Sequence, residues 1–266
     1  MGGWLVYDYR GMNPILQDTL GPIAHVTRPC WLWVPARGEP RLLVSYVDQG
    51  RFSELGLSTT FFVSRKDMTQ RLAALLADAG RIAMEYFPHG ALPRASKVDA
   101  GTLEMVRELG VNVVPSSDLL QYATQRWDDW QLRSHLTAAE KLGRIVQDAF
   151  GHIGETLSSG PTEHAVAEYI RQRFVEEGLA VTDGPVVAVN EHASDPHFEP
   201  NPHASSTIKP GDWVLIDLWG RLPEEDAIFS DITWTAYVGR SVPELHQRVF
   251  DTVIGARDAA LAEMED

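Results

Sequence analysis

Two aspartates carry the clearest chemistry in the sequence. Asp217 closes the apolar run Trp213–Asp217 (WVLID), and Asp231 follows fourteen residues later in SDITWTAYV, a run rich in β-branched and aromatic residues. A carboxylate inside an apolar strand is costly unless something pairs with it. A divalent cation is one such partner, and two Asp on neighbouring strands could share it. The competing reading is structural, with Asp217 ending its strand as a turn residue and Asp231 capping a bend. The polar segment EHASDPHFEPNPHAS adds His192, His197 and His203. Histidines in a loop near paired carboxylates are candidates for a site, and their bland alternative is a solvated polar loop.

These residues need elements to position them. Trp213–Asp217 and Phe229–Val238 flank RLPEEDA, with one Pro and three carboxylates, and so predict a β-hairpin with a long loop. Val186–Asn190 predicts a strand that feeds the histidine segment. Two helices precede it. In Asp128–Leu157 the residues Leu132, Leu136, Ala139, Leu142, Val146, Ala149, Ile153 and Leu157 recur at three- and four-residue steps. Ser158–Pro161 breaks that helix, and Thr162 caps the next, with Glu163 in its first turn. Val166, Ile170 and Phe174 form its apolar stripe. His135, His152 and His164 read as surface residues of these helices. A last helix is expected from Leu245 to Met264, with Val249, Val253, Ala256, Ala260 and Leu261 directed inward.

Ahead of Gln125 the chain has a different grain. Trp4–Tyr9, Cys30–Val34, Arg41–Val47 and Phe61–Val63 read as strands. From Met68 the period becomes helical through Leu72, Leu75, Leu76 and Ala79, and Gly80 stops it. Arg81–Tyr86, Gly101–Leu109 and Val111–Val114 then read as strand, helix, strand. This order predicts a mixed sheet flanked by helices. Asp8, Arg10 and Asn13 cluster after the first strand as turn residues. His25 and His89 stand alone, and a lone histidine is not a site.

Composition narrows the partners. The chain has 266 residues and a net charge of −14, with no basic cluster. That surface argues against nucleic acid and anionic membranes. Cys30 is the sole cysteine, so no internal disulfide can form, and its apolar surroundings suggest a buried structural thiol. No signal peptide is visible at the start, and no run approaches about 18 apolar residues. A cytoplasmic location is expected.

GDWVLIDLWG followed by SDITWTAYVG resembles the two-Asp metal signature of the pita-bread metallopeptidases, the family of Xaa-Pro aminopeptidases, prolidases and methionine aminopeptidases, with creatinase as a metal-free cousin. DYRGMNPI and MEYFPHGALPRASKVDAGTLEMVRELGVNVV resemble the amino-terminal domain of creatinase and prolidase. The resemblance implies an α/β amino-terminal domain over residues 1–125, which does no chemistry and takes part in dimer contacts. It implies an α+β pita-bread catalytic domain, or its first half, over 126–266. In that family two divalent ions, Mn, Co, Zn or Fe, are held by Asp, Asp, His, Glu and Glu, and a metal-activated hydroxide cleaves a peptide near its amino terminus. Asp217 and Asp231 match the first two ligands. His197, in the Pro-His of VNEHASDPH, matches the histidine that faces the substrate near the scissile carbonyl.

Two departures stand out: Trp234 replaces the usual Arg of Asp-Ile-Thr-Arg-Thr, and the connecting loop is longer. Beyond Gly239 only His246, Glu263 and Glu265 could imitate the remaining ligands. All three lie on or beside a helix and none is assigned. The resemblance therefore implies an incomplete site, inactive in these 266 residues alone, and a homodimer acting on peptides. The alternatives are a creatinase-like C–N hydrolase without metal, against which the paired Asp residues argue, and a non-catalytic pita-bread binding module.

Overall fold

Near-continuous apolar runs such as CWLWV belong to strands covered on both faces, and the first part of the chain builds such a sheet. Its strands are β1 (Gly3–Tyr9), β2 (Pro29–Pro35), β3 (Arg41–Ser45), β4 (Ser58–Phe62), β5 (Arg81–Met84) and β6 (Asn112–Pro115). They lie in the order β4-β3-β2-β1-β5-β6. β2 runs antiparallel to both β1 and β3, and the other pairs are parallel. The coordinates are a computed structural model that describes every residue except 22, 24 and 266.

Helices α1 (Pro14–Leu20), α2 (Arg65–Leu75), α3 (Ala100–Glu108) and α4 (Ser117–Thr124) complete this unit. Met68 and Leu72 of α2 and Leu103 and Val106 of α3 bury against Leu5, Trp31 and Leu43 on one face. Ile15 and Leu16 of α1 bury against Trp4, Val6 and Leu32 on the other. Asn13, Ser64 and Asp99 cap α1, α2 and α3, each accepting from a backbone N–H in the first turn. The Asp8–Asn13 cluster is a turn: the Asp8 carboxylate accepts from the N–H groups of Gly11 and Asn13. Cys30 is buried, and that burial pushes its thiol pKa up.

Glu85, just after β5, is fully buried. Its carboxyl meets the Trp4 indole N–H and, at 3.4 Å, the Asn13 amide. Burial dominates these bonds and pushes its pKa from 4.5 to about 7.

The second unit begins with α5 (Asp129–Thr156) and α6 (Glu163–Glu176), which cover an antiparallel sheet of β7 (Val186–Val189), β8 (Trp213–Gly220) and β9 (Ser230–Tyr237). The chain divides as Met1–Arg126 and Trp127–Asp266. A capping box between Asp128 and Gln131 starts α5. From Ala138 onward its stripe is buried through Leu142, Ile145, Val146, Ala149 and Ile153, packed with Val166, Ile170 and Phe174 of α6.

Two expectations need correction. Leu132 and Leu136 are exposed. In the first turns of α5 the small Ser134 and Ala138 are buried instead, and the Ser134 hydroxyl accepts from the Ile228 N–H at 3.1 Å. The last helix, α7 (Glu244–Glu265), does not turn its apolar stripe inward: Val249, Val253 and Leu261 are each more than half exposed. Its first turn rests on the sheet, where His246 stacks on Trp213, and no described element covers the stripe beyond it.

Two stability measurements follow. Protonated Glu85 is the form the fold favours, so its contribution is full below about pH 4.5 and is lost as pH rises through about 7. Glu85→Gln should remove that loss, gaining on the order of 3 kcal/mol over wild type at neutral pH. Denaturant midpoints of the first unit between pH 4 and 8 read this out. In the second unit, Ile145→Ala should cost about 2–5 kcal/mol, whereas Leu136→Ala should stay within about 0.5 kcal/mol.

Candidate functional site

The pleat of β8 sorts its residues by face. Val214, Ile216 and Leu218 are buried in the core with α5 and α6, whereas Leu215, Asp217 and Trp219 are half-buried. Asp217 therefore lies on the face that the helices leave open. The register sets Asp217 opposite Thr233 and Trp219 opposite Asp231. Residues directly opposed share a face, so both aspartates lie on the open one, as diagonal neighbours. That diagonal is roughly 7 Å, short enough for two carboxylates to turn toward one ion. The aspartates are less buried than expected, because only the other face of the hairpin is packed: Asp217 is half-buried and Asp231 exposed.

The two carboxylates differ in their surroundings. Asp217 Oδ1 accepts from the Thr233 hydroxyl at 2.6 Å. Partial desolvation, and then the negative charge of Asp217, raise the pKa of Asp231. Among the described residues no group of three or more His, Cys, Asp or Glu converges as a complete metal shell would.

His197 stands in the wall of a cleft of about 260 Å³, with Arg171, Pro185, Phe198 and Trp219. Its backbone N–H donates to Asp195 Oδ1 at 2.9 Å. Because Trp219 is the cross-strand partner of Asp231, this cleft borders the carboxylate face. The Trp219 indole N–H donates to Asp183 at 3.0 Å. Its ring lies over Gly184, where an added Cβ would come within 2.7 Å of it.

The other candidates fall elsewhere. His203 is exposed, and its backbone N–H donates to the Asn201 side chain. His246 stacks on Trp213, and Glu263 is exposed on α7. The side chain of Glu265 lies outside the described residues. Trp234 pairs with Ile216 and so belongs to the helix-bearing face. The Arg-to-Trp departure is thus not on the side of the aspartates.

Sequence reasoning missed one arrangement. His192 is no free polar residue: its Nδ1 lies 2.9 and 3.0 Å from the two carboxylate oxygens of Glu163, which is fully buried. The signal was present. Glu163 heads the stripe continued by Val166, Ile170 and Phe174, a position that carries an acid only when something inside answers it.

Residues 137–266 match the model of Metallopeptidase family M24. This segment, just under half of the chain, is thus similar to that family. The relatives agree with the match. The chain is 25% identical over 213 residues, 80% of its own length and 52% of theirs, to the probable dipeptidase PepE of Mycobacterium tuberculosis. It is 26% identical over 138 residues, 52% of the chain and 28% of the relative, to Xaa-Pro aminopeptidase 2 of Streptomyces coelicolor. Solved structures share the fold over most of the chain. Dipeptidase PepE of Mycobacterium ulcerans aligns at TM-score 0.60 and 23% identity, covering 93% of this chain and 62% of that one. A dipeptidase of Pyrococcus horikoshii OT3 aligns at 0.54 and 24%, covering 98% and 67%. The α/β first part and the pita-bread α+β second part therefore share the fold of these solved structures. The chain spans about half the length of the curated relative PepE. No helix among the described residues is long and apolar enough to cross a membrane.

The wall of the cleft can be probed at Gly184. Its φ of +79° disfavours any side chain, and the ring of Trp219 occupies the space a Cβ needs. Gly184→Ala should cost about 1–3 kcal/mol and displace the Trp219 indole, which its N–H resonance would report.

Proposed function

We propose that this chain carries part of a metal-dependent peptidase of the dipeptidase or Xaa-Pro type, which cleaves a short peptide near its amino terminus. The observation that supports it best is the pair Asp217 and Asp231 on the open face of one hairpin. In this reading residues 126–266 contribute to the catalytic domain, and residues 1–125 are the non-catalytic amino-terminal domain. The names of the relatives point the same way.

The donor set fits a divalent ion. Two carboxylates offer up to four oxygen donors and two negative charges, and Mn, Co, Zn or Fe suits such ligation. When bound, the metal supplies Lewis-acid polarisation of the peptide carbonyl. The protein's own groups do the rest. The Thr233 hydroxyl fixes one oxygen of Asp217 and leaves the other free. The negative charge of Asp217 that raises the pKa of Asp231 is what a cation between them would relieve. His197 in the cleft wall donates a hydrogen bond to the oxygen that gains charge during attack on the carbonyl. Trp219 lines the same cleft and offers an apolar surface to the substrate side chain.

The test uses the full chain. Mn²⁺ or Co²⁺ titrated by calorimetry should bind wild type and bind Asp231→Asn at least about tenfold more weakly, because one ligand charge is gone. Equal binding by the two proteins would end the metal assignment of this pair. Xaa-Pro dipeptides assayed with and without chelator then show whether the chain alone turns over.

A further inference from the structure

We infer that Glu163 and His192 together are a positioning device for the cleft wall that carries His197. The Glu163 carboxylate is fully buried at the start of α6. Every group that meets it is a donor. The Val189 N–H donates to Oε1 at 2.7 Å, and the Ser206 N–H donates to Oε2 at 2.6 Å. The Nδ1 of His192 lies within 3.0 Å of both oxygens. A carboxylate surrounded by donors can only accept, so His192 carries its proton on Nδ1. Glu163 thus gathers three points of one segment: its entry at Val189, its first turn at His192 and its exit at Ser206.

The gathered segment is the one that makes the cleft. His192 follows the β7 residue Val189, which pairs with Val214, whereas Asp217 pairs with Val186 at the other end of that strand. The chain must therefore fold back along β7 to bring His197 and Phe198 beside Pro185, Val186 and Trp219. The contact that holds the return is a stack: the His192 ring lies on the Phe198 ring, centroids 4.2 Å apart and planes 22° apart. Phe198 lines the cleft next to His197. Position passes from a buried carboxylate to an imidazole, from that ring to a phenyl group, and from there to the wall. The register also keeps His192 away from the aspartates, so it acts through the wall and not as a ligand of the pair.

The meaning of this device rests on reading His197 as a substrate-facing residue, yet its test requires neither metal nor substrate. Amide hydrogen exchange is followed in the full chain for wild type, Glu163→Gln, His192→Phe and His192→Asn. Glu163→Gln aims an amide N–H at groups that are all donors. It should speed exchange of Val189, Ser206 and the amides between them at least about tenfold, while α5 and β8 keep wild-type rates. His192→Phe keeps the stacking ring and loses the donor, so it should loosen Ser194–Phe198. His192→Asn presents an N–H near the place of Nδ1 but has no ring to stack on Phe198, so it should keep Val189 and Ser206 protected and still loosen Ser194–Phe198. The His197 ring proton resonances should move toward free-peptide values in Glu163→Gln, His192→Phe and His192→Asn alike, since each breaks one link from the carboxylate to the wall. If Glu163→Gln instead weakens protection evenly through α5, β8 and the segment, Glu163 is only a core group and the inference fails. Wild-type protection in His192→Phe would also overturn it, and that comparison stands even should Glu163→Gln not fold. Loss of metal binding as the reading of Asp217 and Asp231 leaves these outcomes untouched, so the two ideas can fail separately.

Discussion

The register of the β8–β9 hairpin is the constraint on which the candidate site depends. Side chains alternate along a strand, so burying Val214, Ile216 and Leu218 against the helices sends Leu215, Asp217 and Trp219 to the other side. A slip of one residue would drive Asp217 into the core and Ile216 into solvent. The apolar stripes of α5 and α6 therefore fix where the carboxylates point, although they touch neither. The same registration puts Trp219 across from Asp231 and sets the cleft beside the carboxylate face.

Much of this was legible in the sequence for a physical reason. Strands such as Trp4–Tyr9 and Cys30–Val34 are buried on both faces, and long apolar runs announce them. The hairpin announced itself through two runs flanking a polar loop. Helices α1 and α4 were not read, being too short for a period to show. The start of α5 was misread because Leu132 and Leu136 keep the three- and four-residue rhythm, yet Ser134 and Ala138 face the core. A small residue and a hydroxyl with a backbone partner can serve a close contact where leucine cannot. The inward stripe expected of α7 fails differently. Periodicity says which residues share a face, and it does not say whether anything covers that face.

The aspartate pair was legible as residue types and their spacing, but its burial was not. Sequence shows apolar neighbours on both sides of Asp217, and these belong to the opposite face of the pleat. Glu163 and His192 were harder to read, because their contact joins a helix start to a loop across almost thirty positions. Glu85 presents the same difficulty in the first unit. It follows β5 in sequence, while its partners Trp4 and Asn13 come from the start of the chain.

These two buried glutamates show what decides the role of an internal carboxyl. For Glu85, desolvation outweighs every hydrogen bond it receives, the Trp4 indole N–H and the long Asn13 contact among them, and its pKa rises to about 7. Glu163 meets two backbone N–H groups and an imidazole, all within 3.0 Å. Backbone donors are the stronger constraint here, since an N–H at Val189 or Ser206 cannot swing away without moving the chain. A carboxylate so surrounded fixes the backbone around it, and burial strengthens each bond by lowering the local dielectric. One helix, α6, thus supplies both the stripe that sets the face of the aspartates and the acid that anchors the wall beside them. The core and the candidate site share one helix but through different residues, so the wall can loosen while the stripe stays packed.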